Sequence, residues 1–410
     1  MTETAAPGLQ ALFDPAHRAD PYPTYRRWRE DTPVAGPMPG LFVVTRHADC
    51  AAVLRDSRFG HAEPDEPNLL RPAPPTDAET ALVDENGNPV RSFLGLNPPD
   101  HTRLRKLVSK AFTRPMVARL APRIEQLTTD LLDGMAKRTG QVDLIESLAY
   151  PLPVAVISEL LGIPNADRDQ FVAWSHSLAR GLDPDFALPP GTRENLVRTR
   201  GEFAEYIRGL AAIRRADPGE DLLSALVQVH DSGDVLTENE LLATCILLLI
   251  AGHETTVNLI GNGTLALLRA PGQLAALRDE PELVDHAVEE FLRYDSPVQL
   301  TMRAALEDAE IGGVEIARGS AALLVIGSAN RDPDAVADPD ALDVRREPTR
   351  HLAFGQGIHF CLGAPLARLE ARIAFQALLA RFPALRLAAE PAWKDNLILR
   401  GLATLPVHLT

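Results

Sequence analysis

Apolar residues recur at helical spacing through most of this chain. With polar residues between them, this pattern predicts amphipathic helices that each bury one face. The predicted helical segments lie near 48–55, from about 101 to 161 (including 116–137 and 153–161), near 167–180 and near 193–214. Helix is therefore the expected main secondary structure.

Short strands are predicted in three places, at about 32–46, 301–326 and 397–409. The glycines of Ile311-Gly312-Gly313-Val314 suit a tight hairpin turn, and the apolar run 321–326 is typical of a buried strand. The last of the three stretches is expected to form a final hairpin. The predicted fold class is mainly α with a small β region.

One predicted helix is unusually long. Thr237 and Glu240 have the spacing of a capping box at its start, and Pro271 ends it after Arg269, which gives a length of roughly 48 Å at about 1.5 Å per residue. Its middle, 243–252, is almost wholly apolar, so we expect burial on all sides. We interpret this apolar run as too short, and too closely flanked by charge, to cross a bilayer.

Two stretches rich in proline and other turn residues interrupt the helical pattern, at about 59–97 and 181–192. Long irregular stretches of this kind are usually functional or disordered, and proline prevents a continuous helix. We interpret both as lid segments over a binding site.

Composition bounds the remaining possibilities. The 410 residues show no linker-like shift, so a single domain over 1–410 is expected. No apolar run of a signal or anchor precedes Asp31, which favours a cytoplasmic protein without membrane attachment. The formal charge of −15 disfavours nucleic acid and anionic membranes as partners. The three cysteines Cys50, Cys245 and Cys361 are too far apart to indicate disulfides or a zinc site.

Cys361 is the residue that points most directly to chemistry. It lies in the glycine-rich run 354–363, immediately before a predicted helix from Ala364. The glycines allow the backbone to approach a flat group closely, and the helix N-terminus favours a thiolate. A thiolate so placed suits an axial ligand of haem iron. Taken alone, the loop could also hold a buried structural cysteine, or a nucleophile beside His359.

The motifs of this chain resemble those of the cytochrome P450 family along nearly its whole length. Phe354, Gly355, Gly357, His359, Cys361 and Gly363 fill the F-G-x-G-x-[HR]-x-C-x-G signature, Ala251, Gly252, Glu254 and Thr255 fill A-G-x-[DE]-T, and Glu290 and Arg293 fill E-x-x-R. The resemblance implies the P450 fold and haem b as cofactor. Apart from it, the run 251–256 could be only a bend in a buried helix, with His253 a hydrogen-bonded residue rather than a ligand.

The resemblance also implies roles for single residues. Cys361 would bind the iron, and Thr255 and Glu254 would order dioxygen and water and deliver protons. The haem would be held by His101, Arg105, Arg303 and His359 at its propionates and by Phe354, Gly355, Gly363 and Ala251 around its plane. Glu290 and Arg293 would form a structural trio with Arg346, although Arg345 or Arg350 could take the third place. Arg105 could instead be a solvated helix charge.

The resemblance predicts a monooxygenase that inserts one oxygen atom from O₂ into an apolar small molecule, by hydroxylation or epoxidation of a natural product. The expected pocket walls are Leu94, Leu247, Leu248, Ala251, Val298, Gln299, Leu300 and Leu399, each of which could equally be core. Electrons would come from a ferredoxin and its reductase, because no flavin or iron–sulfur segment is present. The basic helix with Arg103, Lys106 and Lys110 would dock the ferredoxin. A peroxide-driven oxygenase and a non-catalytic protein that binds haem and a metabolite are the alternatives.

Overall fold

The computed structural model describes residues 8–62, 82, 90–184, 187–231 and 236–410. Within the chain, two compact units are distinguished by their internal contacts. The first comprises Met1–Gly60, Arg123–Pro151 and Thr255–Thr410, and the second comprises His61–Pro122 and Leu152–Glu254. Because each unit is assembled from separate stretches of chain, the expected single domain stays a prediction.

Helices account for most of the described residues, as predicted. In chain order they are α1 (Pro15–Ala19), α2 (Tyr22–Asp31), α3 (His47–Arg55), α4 (Asp100–Ala111), α5 (Arg114–Arg119), α6 (Ala121–Ala136), α7 (Pro151–Leu160), α8 (Arg168–Ala179), α9 (Thr192–Ala216), α10 (Leu222–Asp231), α11 (Glu238–Arg269), α12 (Pro271–Asp279), α13 (Val284–Tyr294), α14 (Ile326–Ala329) and α15 (Ala364–Arg381).

The strands of the described residues all belong to the first unit. They are β1 (Val34–Met38), β2 (Leu41–Val44), β3 (Phe59–Gly60), β4 (Gln141–Asp143), β5 (Leu300–Ala305), β6 (Ala309–Ile311), β7 (Val314–Ile316), β8 (Ala321–Val325), β9 (Arg386–Leu387), β10 (Ala392–Trp393), β11 (Leu402–Thr404) and β12 (Pro406–His408). The main sheet has the order β1-β2-β8-β5-β3. β8 pairs in parallel with β2 and antiparallel with β5. In the pair of β8 with β5, Arg303 on β5 lies opposite Ala322 on β8.

The glycine hairpin forms as predicted. Ile311 pairs with Val314, and the glycines between them take φ values of 56° and 83°, which suit the left-handed turn. The expected final hairpin over 397–409 is wrong, because its two strands do not pair with each other. β11 pairs with β10, and β12 lies between β4 and β9. Leu405 between them hydrogen-bonds Asp143 and Leu144, so this stretch is tied to a distant part of the chain.

In the second unit, α8 and α9 are joined by a polar seam. The Trp174 indole donates to Glu202 at 3.1 Å, the Tyr206 hydroxyl donates to Asp167 at 2.7 Å, and the Asn195 amide donates to Ser177 at 2.7 Å. Helix α8 ends and α9 begins on either side of the predicted proline-rich break. Of the two predicted lid segments, 63–81, 83–89 and 185–186 lie outside the described residues.

Helix α11 has the predicted start and end. The Thr237 amide donates to Glu240 Oε2 at 2.8 Å, and the Glu240 amide donates back to the Thr237 hydroxyl at 3.2 Å, which is the predicted capping box. The interpretation that this helix is too short to cross a bilayer is wrong, since α11 as a whole is long and apolar enough to do so by length and composition. However, 83% of its most apolar window is buried inside the protein, as in the core helix of a folded domain.

Candidate active site

The loop that carries Cys361 follows a tight backbone path within the first unit. Gly355 and Gly357 have φ values of +66° and +68°, which disfavour side chains. A Cβ added at Gly357 would overlap the Leu54 carbonyl oxygen, so α3 contacts this loop directly. The Cys361 amide donates to the Phe354 carbonyl at 2.9 Å and closes the loop just before α15. The sulfur is therefore presented by backbone that has little freedom to move.

Cys361 differs from the other two cysteines in its environment. It is partly exposed, whereas Cys50 and Cys245 are fully buried. Burial raises the pKa of the Cys245 thiol to about 12 and raises that of Cys50 as well, so both stay protonated at neutral pH. Cys245 is therefore an unreactive residue of the core.

A hydrogen-bonded trio that the sequence analysis did not identify flanks the cysteine loop. Arg368 on α15 donates to both Glu289 oxygens, at 2.6 and 2.8 Å, and His351 lies 3.1 Å from the same carboxylate. Burial alone would raise the pKa of Glu289, but these hydrogen bonds overcome it and lower the pKa to about 2. The hydrogen bond to Glu289 raises the pKa of Arg368, and the Cys361 sulfur adds to the rise. The one sequence signal that could have identified these three residues is their position close to the recognised motifs.

Arg303 on β5 is a buried cation, and no described residue gives it an anionic partner. It is 8% exposed, and its guanidinium donates to the Met302 carbonyl at 2.8 Å and to the Thr301 hydroxyl at 3.4 Å. Among the described residues, no carboxylate is recorded within ion-pairing distance of it. Burial lowers the pKa of Arg303 to about 10. A buried guanidinium of this kind fits a bound carboxylate.

The predicted propionate contacts of the second unit lie on α4. His101 is buried with its ring 6.5 Å from that of Phe93, and the half-buried Arg105 guanidinium lies 5.8 Å from the same ring. Phe93 therefore contacts both side chains, which lie one helical turn apart and share a face of α4. His359 and Arg303 belong to the other unit.

The central part of helix α11 is buried except on one stripe. Between residues 241 and 265, the accessible positions are Leu247, Ala251, Gly252 and Thr255. Leu247, Ala251 and Thr255 are spaced by four and therefore share a face. Glu254 is 3% exposed, and His253 is fully buried. A Cβ added at Gly252 would lie 3.0 Å from Ile157, so this glycine allows α7 to approach closely.

His253 makes contacts that its variable place in the motif did not indicate. Its Nδ1 lies 2.8 Å from the Leu249 carbonyl, its Nε2 lies 2.7 Å from the Ser175 hydroxyl on α8, and its Nε2 lies 3.6 Å from Glu254 Oε2. The ring therefore connects α8 to the acidic residue of the motif.

Glu290 and Arg293 form a buried bidentate pair, with two hydrogen bonds of 2.7 Å. Of the three candidates for the third member, Arg346 donates to Glu290 at 3.2 Å, whereas Arg345 pairs with Glu280. Arg293 also donates to the carbonyls of Asn330, Pro339 and Ala341, so the pair anchors the chain that precedes the cysteine loop.

The predicted pocket residues differ in accessibility. Leu94 and Ala251 are exposed and Leu247 and Val298 are partly exposed, whereas Leu248, Gln299, Leu300 and Leu399 are buried. Val298 and Leu399 pair in an isolated β-bridge. Leu300 packs in a core cluster with Tyr25 and Val325. The side-chain amide of Gln299 donates to the Ser296 carbonyl at 2.8 Å.

The fold and the cysteine loop together define a haem-thiolate protein. A family model described as cytochrome P450 matches residues 75–399. Cytochrome P450 monooxygenase PikC of Streptomyces venezuelae is 46% identical and covers 95% of this chain and 91% of its own. 6-Deoxyerythronolide B hydroxylase of Saccharopolyspora erythraea is 41% identical over 99% of both chains.

Solved structures agree with the family match. Cytochrome P450 PksS of the Bacillus subtilis 168 bacillaene polyketide synthase has a TM-score of 0.87 and 41% identity to this chain, covering 97% of this chain and 99% of its own. The chain belongs to the cytochrome P450 family. It is a monooxygenase, an oxidoreductase whose cofactor is haem b.

The residues present fit that cofactor. A Cβ added at Gly363 would lie 3.9 Å from Cys361 Sγ, so the missing side chain leaves space beside the sulfur for a flat group. The buried cation Arg303 has no carboxylate partner among the described residues, which suits a propionate.

Proposed function

We propose that this P450 hydroxylates or epoxidises an apolar natural product. The observation that carries the proposal is the rigid glycine loop that presents Cys361 at the start of α15. When bound, haem b supplies the activation of O₂, and a cysteine ligand favours cleavage of the O–O bond. Cys361 would bind the iron. Arg303, His359, His101 and Arg105 would bind the propionates.

Glu254 and Thr255 would manage the protons of the reaction. The buried carboxyl of Glu254 can hold or release a proton, and Thr255 lies on the accessible stripe of α11, where its hydroxyl can bind water or substrate oxygen. Their consecutive positions let one residue supply the proton and the other orient its acceptor. Glu254→Gln should therefore lower the product formed per NADPH more than it lowers substrate affinity.

The substrate would be a polyketide-like molecule. Of the two relatives, one is named a hydroxylase of 6-deoxyerythronolide B, and the solved neighbour belongs to a polyketide synthase. The accessible pocket candidates Leu94, Leu247, Ala251 and Val298 are apolar, as expected for an apolar ligand. Terpenoids and fatty acids remain the competing classes.

Electrons would come from a ferredoxin and its reductase in the cytoplasm. Lys106 and Lys110 are exposed on α4, which suits docking of an acidic partner. Arg103 is less available than predicted, because it pairs with Glu240 of the α11 capping box. In the other unit, Ile358 and Phe360 of the cysteine loop are 50% and 41% exposed and offer apolar contact.

The first test is spectroscopic. Reduced protein under carbon monoxide should show the red-shifted Soret band of a thiolate complex, and Cys361→Ser should lose it. An unchanged spectrum in Cys361→Ser would refute the ligand assignment. Cys245→Ser is the matched control, because that thiol is buried elsewhere and its removal should leave the spectrum intact.

The second test concerns substrate and electron source. We expect 6-deoxyerythronolide B to shift the optical spectrum of the ferric protein at lower concentration than vitamin D₃ or myristic acid does. Product should form with ferredoxin, reductase and NADPH. Product with hydrogen peroxide alone would favour the peroxide-driven alternative, and binding without product under either condition would favour the recruitment protein.

A further inference from the structure

The side chain of Asn97 joins the start of α4 to an earlier part of the chain. Its Oδ1 accepts a hydrogen bond from the His61 amide at 2.8 Å, and its Nδ2 donates to the His61 carbonyl at 2.7 Å. Because a backbone amide can only donate and a carbonyl can only accept, these two bonds fix which way the carboxamide faces. The pair of bonds spans 36 positions in sequence and stays within the second unit.

The backbone of Asn97 is bonded to α4 itself. The amides of a first helical turn find no acceptor inside the helix, and the Asn97 carbonyl accepts from the His101 amide at 2.9 Å. One residue therefore bonds to His61 with its side chain and to the first turn of α4 with its backbone. The position of His101 relative to His61 depends on this residue.

The short turn before Asn97 packs against the side chains of α4. It comprises Phe93–Gly95, and Phe93 is 5% exposed. The Phe93 ring lies 6.5 Å from the His101 ring and 5.8 Å from the Arg105 guanidinium. Because Asn97 follows this turn by two residues, its bonds to His61 hold both the turn and the helix that the turn supports.

A second contact joins the same two stretches of chain. The Arg91 guanidinium donates to the Ala62 carbonyl at 3.1 Å. An arginine side chain is long and has several rotatable bonds, so this bond restricts position less than the two bonds of the short Asn97 side chain do. Loss of the Asn97 bonds should therefore shift the start of α4 rather than detach it.

We propose that Asn97 is a positioning residue for haem binding. By holding the first turn of α4 to His61, it sets the orientation in which His101 and Arg105 meet the haem propionates. Two such contacts from one helix face need that face at a defined distance and angle, because hydrogen bonds weaken steeply outside a narrow geometry. The inference rests on the proposed role of His101 and Arg105 in binding the propionates.

The rate of haem loss from the holoprotein tests the proposal. Asn97→Ala removes both bonds to His61, and its haem should transfer to apomyoglobin about tenfold faster than that of the wild type, the effect expected from one or two lost hydrogen bonds. Exchange of the His101 amide with deuterium, followed by mass spectrometry, should also quicken. Asn97→Asp keeps an acceptor for the His61 amide but loses the donor to the carbonyl, so its haem loss should be faster than that of the wild type as well.

Asn195→Ala is the matched control. It removes a partly buried carboxamide that donates to Ser177 at 2.7 Å, in the same unit but on α9. Urea unfolding should show a loss of stability comparable with that of Asn97→Ala, while haem loss stays at the wild-type rate. Wild-type haem loss in both Asn97 variants, or equally fast haem loss in Asn195→Ala, would overturn the proposal.

A double-mutant cycle separates positioning from a general loss of packing. In a protein with His101→Phe and Arg105→Met, neither side chain can bind a propionate, so adding Asn97→Ala should change the rate of haem loss by less than about twofold. A further increase of about tenfold would show that Asn97 acts independently of these two residues, and the positioning role would be wrong.

The same cycle distinguishes this inference from the proposed function. If the protein with His101→Phe and Arg105→Met loses haem at the wild-type rate, the assignment of the propionate contacts is wrong and the positioning role falls with it. If that protein loses haem quickly and Asn97→Ala still adds its full effect, the propionate contacts stand and the positioning role of Asn97 alone is wrong.

Discussion

Arg303 is a buried charge that no described carboxylate neutralises, so its effect on haem binding and its effect on the stability of the haem-free protein can be measured separately. Within the part of the chain that the structure describes, its guanidinium hydrogen-bonds a carbonyl and a hydroxyl and no carboxylate. Arg303→Met should therefore leave the free energy of unfolding of the haem-free protein unchanged or raised, because a buried cation without a partner is unfavourable. The same change should speed haem loss about tenfold, the effect of one charge-assisted hydrogen bond of about 1.5 kcal/mol.

Haem transfer to apomyoglobin and urea unfolding measure the two effects. Arg303→Lys keeps the charge and should retain most of the affinity. Arg400→Met is the contrasting control, because Arg400 is buried with Asp295 at 2.7 Å and its loss should destabilise the haem-free protein. Strong destabilisation of the haem-free protein by Arg303→Met would mean that the charge serves the fold.

His17 should make stability depend on pH. Burial lowers its pKa to about 4, helped by the charge of Arg400, whereas the unfolded chain has a pKa of about 6.5. The unfolded state therefore binds protons first, so the stabilisation is complete above about pH 6.5 and is lost as the pH falls toward 4. After allowance for solvent screening, we expect about 1 kcal/mol between pH 7.5 and 5.

Urea unfolding of the wild type and of His17→Phe at pH 7.5 and 5 would measure this contribution of His17 to the free energy of unfolding. The pH dependence should be smaller in His17→Phe by that amount. His176→Gln, at an exposed position, should show the wild-type dependence. Equal pH dependence in His17→Phe and the wild type would show that the ring is solvated.

At the scale of elements, the cysteine loop depends on the contact between Gly357 and α3. Gly357→Ala adds a methyl group both at φ +68° and against the Leu54 carbonyl. Gly191→Ala adds one at φ +78° with no heavy atom within 4 Å, so it isolates the conformational cost of about 1 kcal/mol. The difference in unfolding free energy between the variants measures the steric contact.

We expect Gly357→Ala to lose at least 2 kcal/mol more than Gly191→Ala, since the backbone of α3 cannot move aside cheaply. Gly357→Ala should also weaken the carbon-monoxide band of the thiolate complex, whereas Gly191→Ala should not. Similar unfolding energies for the two variants would indicate that the loop adapts to the added methyl group.

An element could be predicted from the sequence when the residues that determine it lie close together in the chain. The α11 capping box and the 311–314 hairpin depend on residues within four positions of each other, and both form as predicted. The strands near the C-terminus pair with β10 and β9, whose paired residues lie nine or more positions earlier in the chain, or with β4. Alternation of apolar residues indicates a strand but carries no information on its partner.

At the scale of the whole molecule, the motifs located the candidate site because each is a short run of fixed residue types. Contacts between distant elements were not accessible in this way. Arg346 could not be distinguished from Arg345 without the position of Glu280, and the contact between the Ser175 hydroxyl and the His253 ring joins residues 78 positions apart. Sequence therefore predicts the residues of the chemistry better than the residues that hold them in place.

At the scale of the whole molecule, the distribution of charge should control how fast a ferredoxin reduces this protein. The protein is acidic, with a formal charge of −15, so an acidic ferredoxin is repelled except at local basic patches. Lys106→Glu with Lys110→Glu changes the charge by four, from −15 to −19. We expect reduction by ferredoxin at low salt to slow about tenfold, with little change in substrate binding.

Lys137→Glu with Arg138→Glu produces the same net charge at another exposed site, just beyond the end of α6, and so separates local docking from overall repulsion. Stopped-flow reduction should be nearly normal in this control. The difference between the two double variants should shrink at high salt, because exposed charges are screened over roughly 3 Å at 1 M ionic strength. If both double variants were reduced equally slowly, the cause would be the net charge, and α4 would not be the docking site.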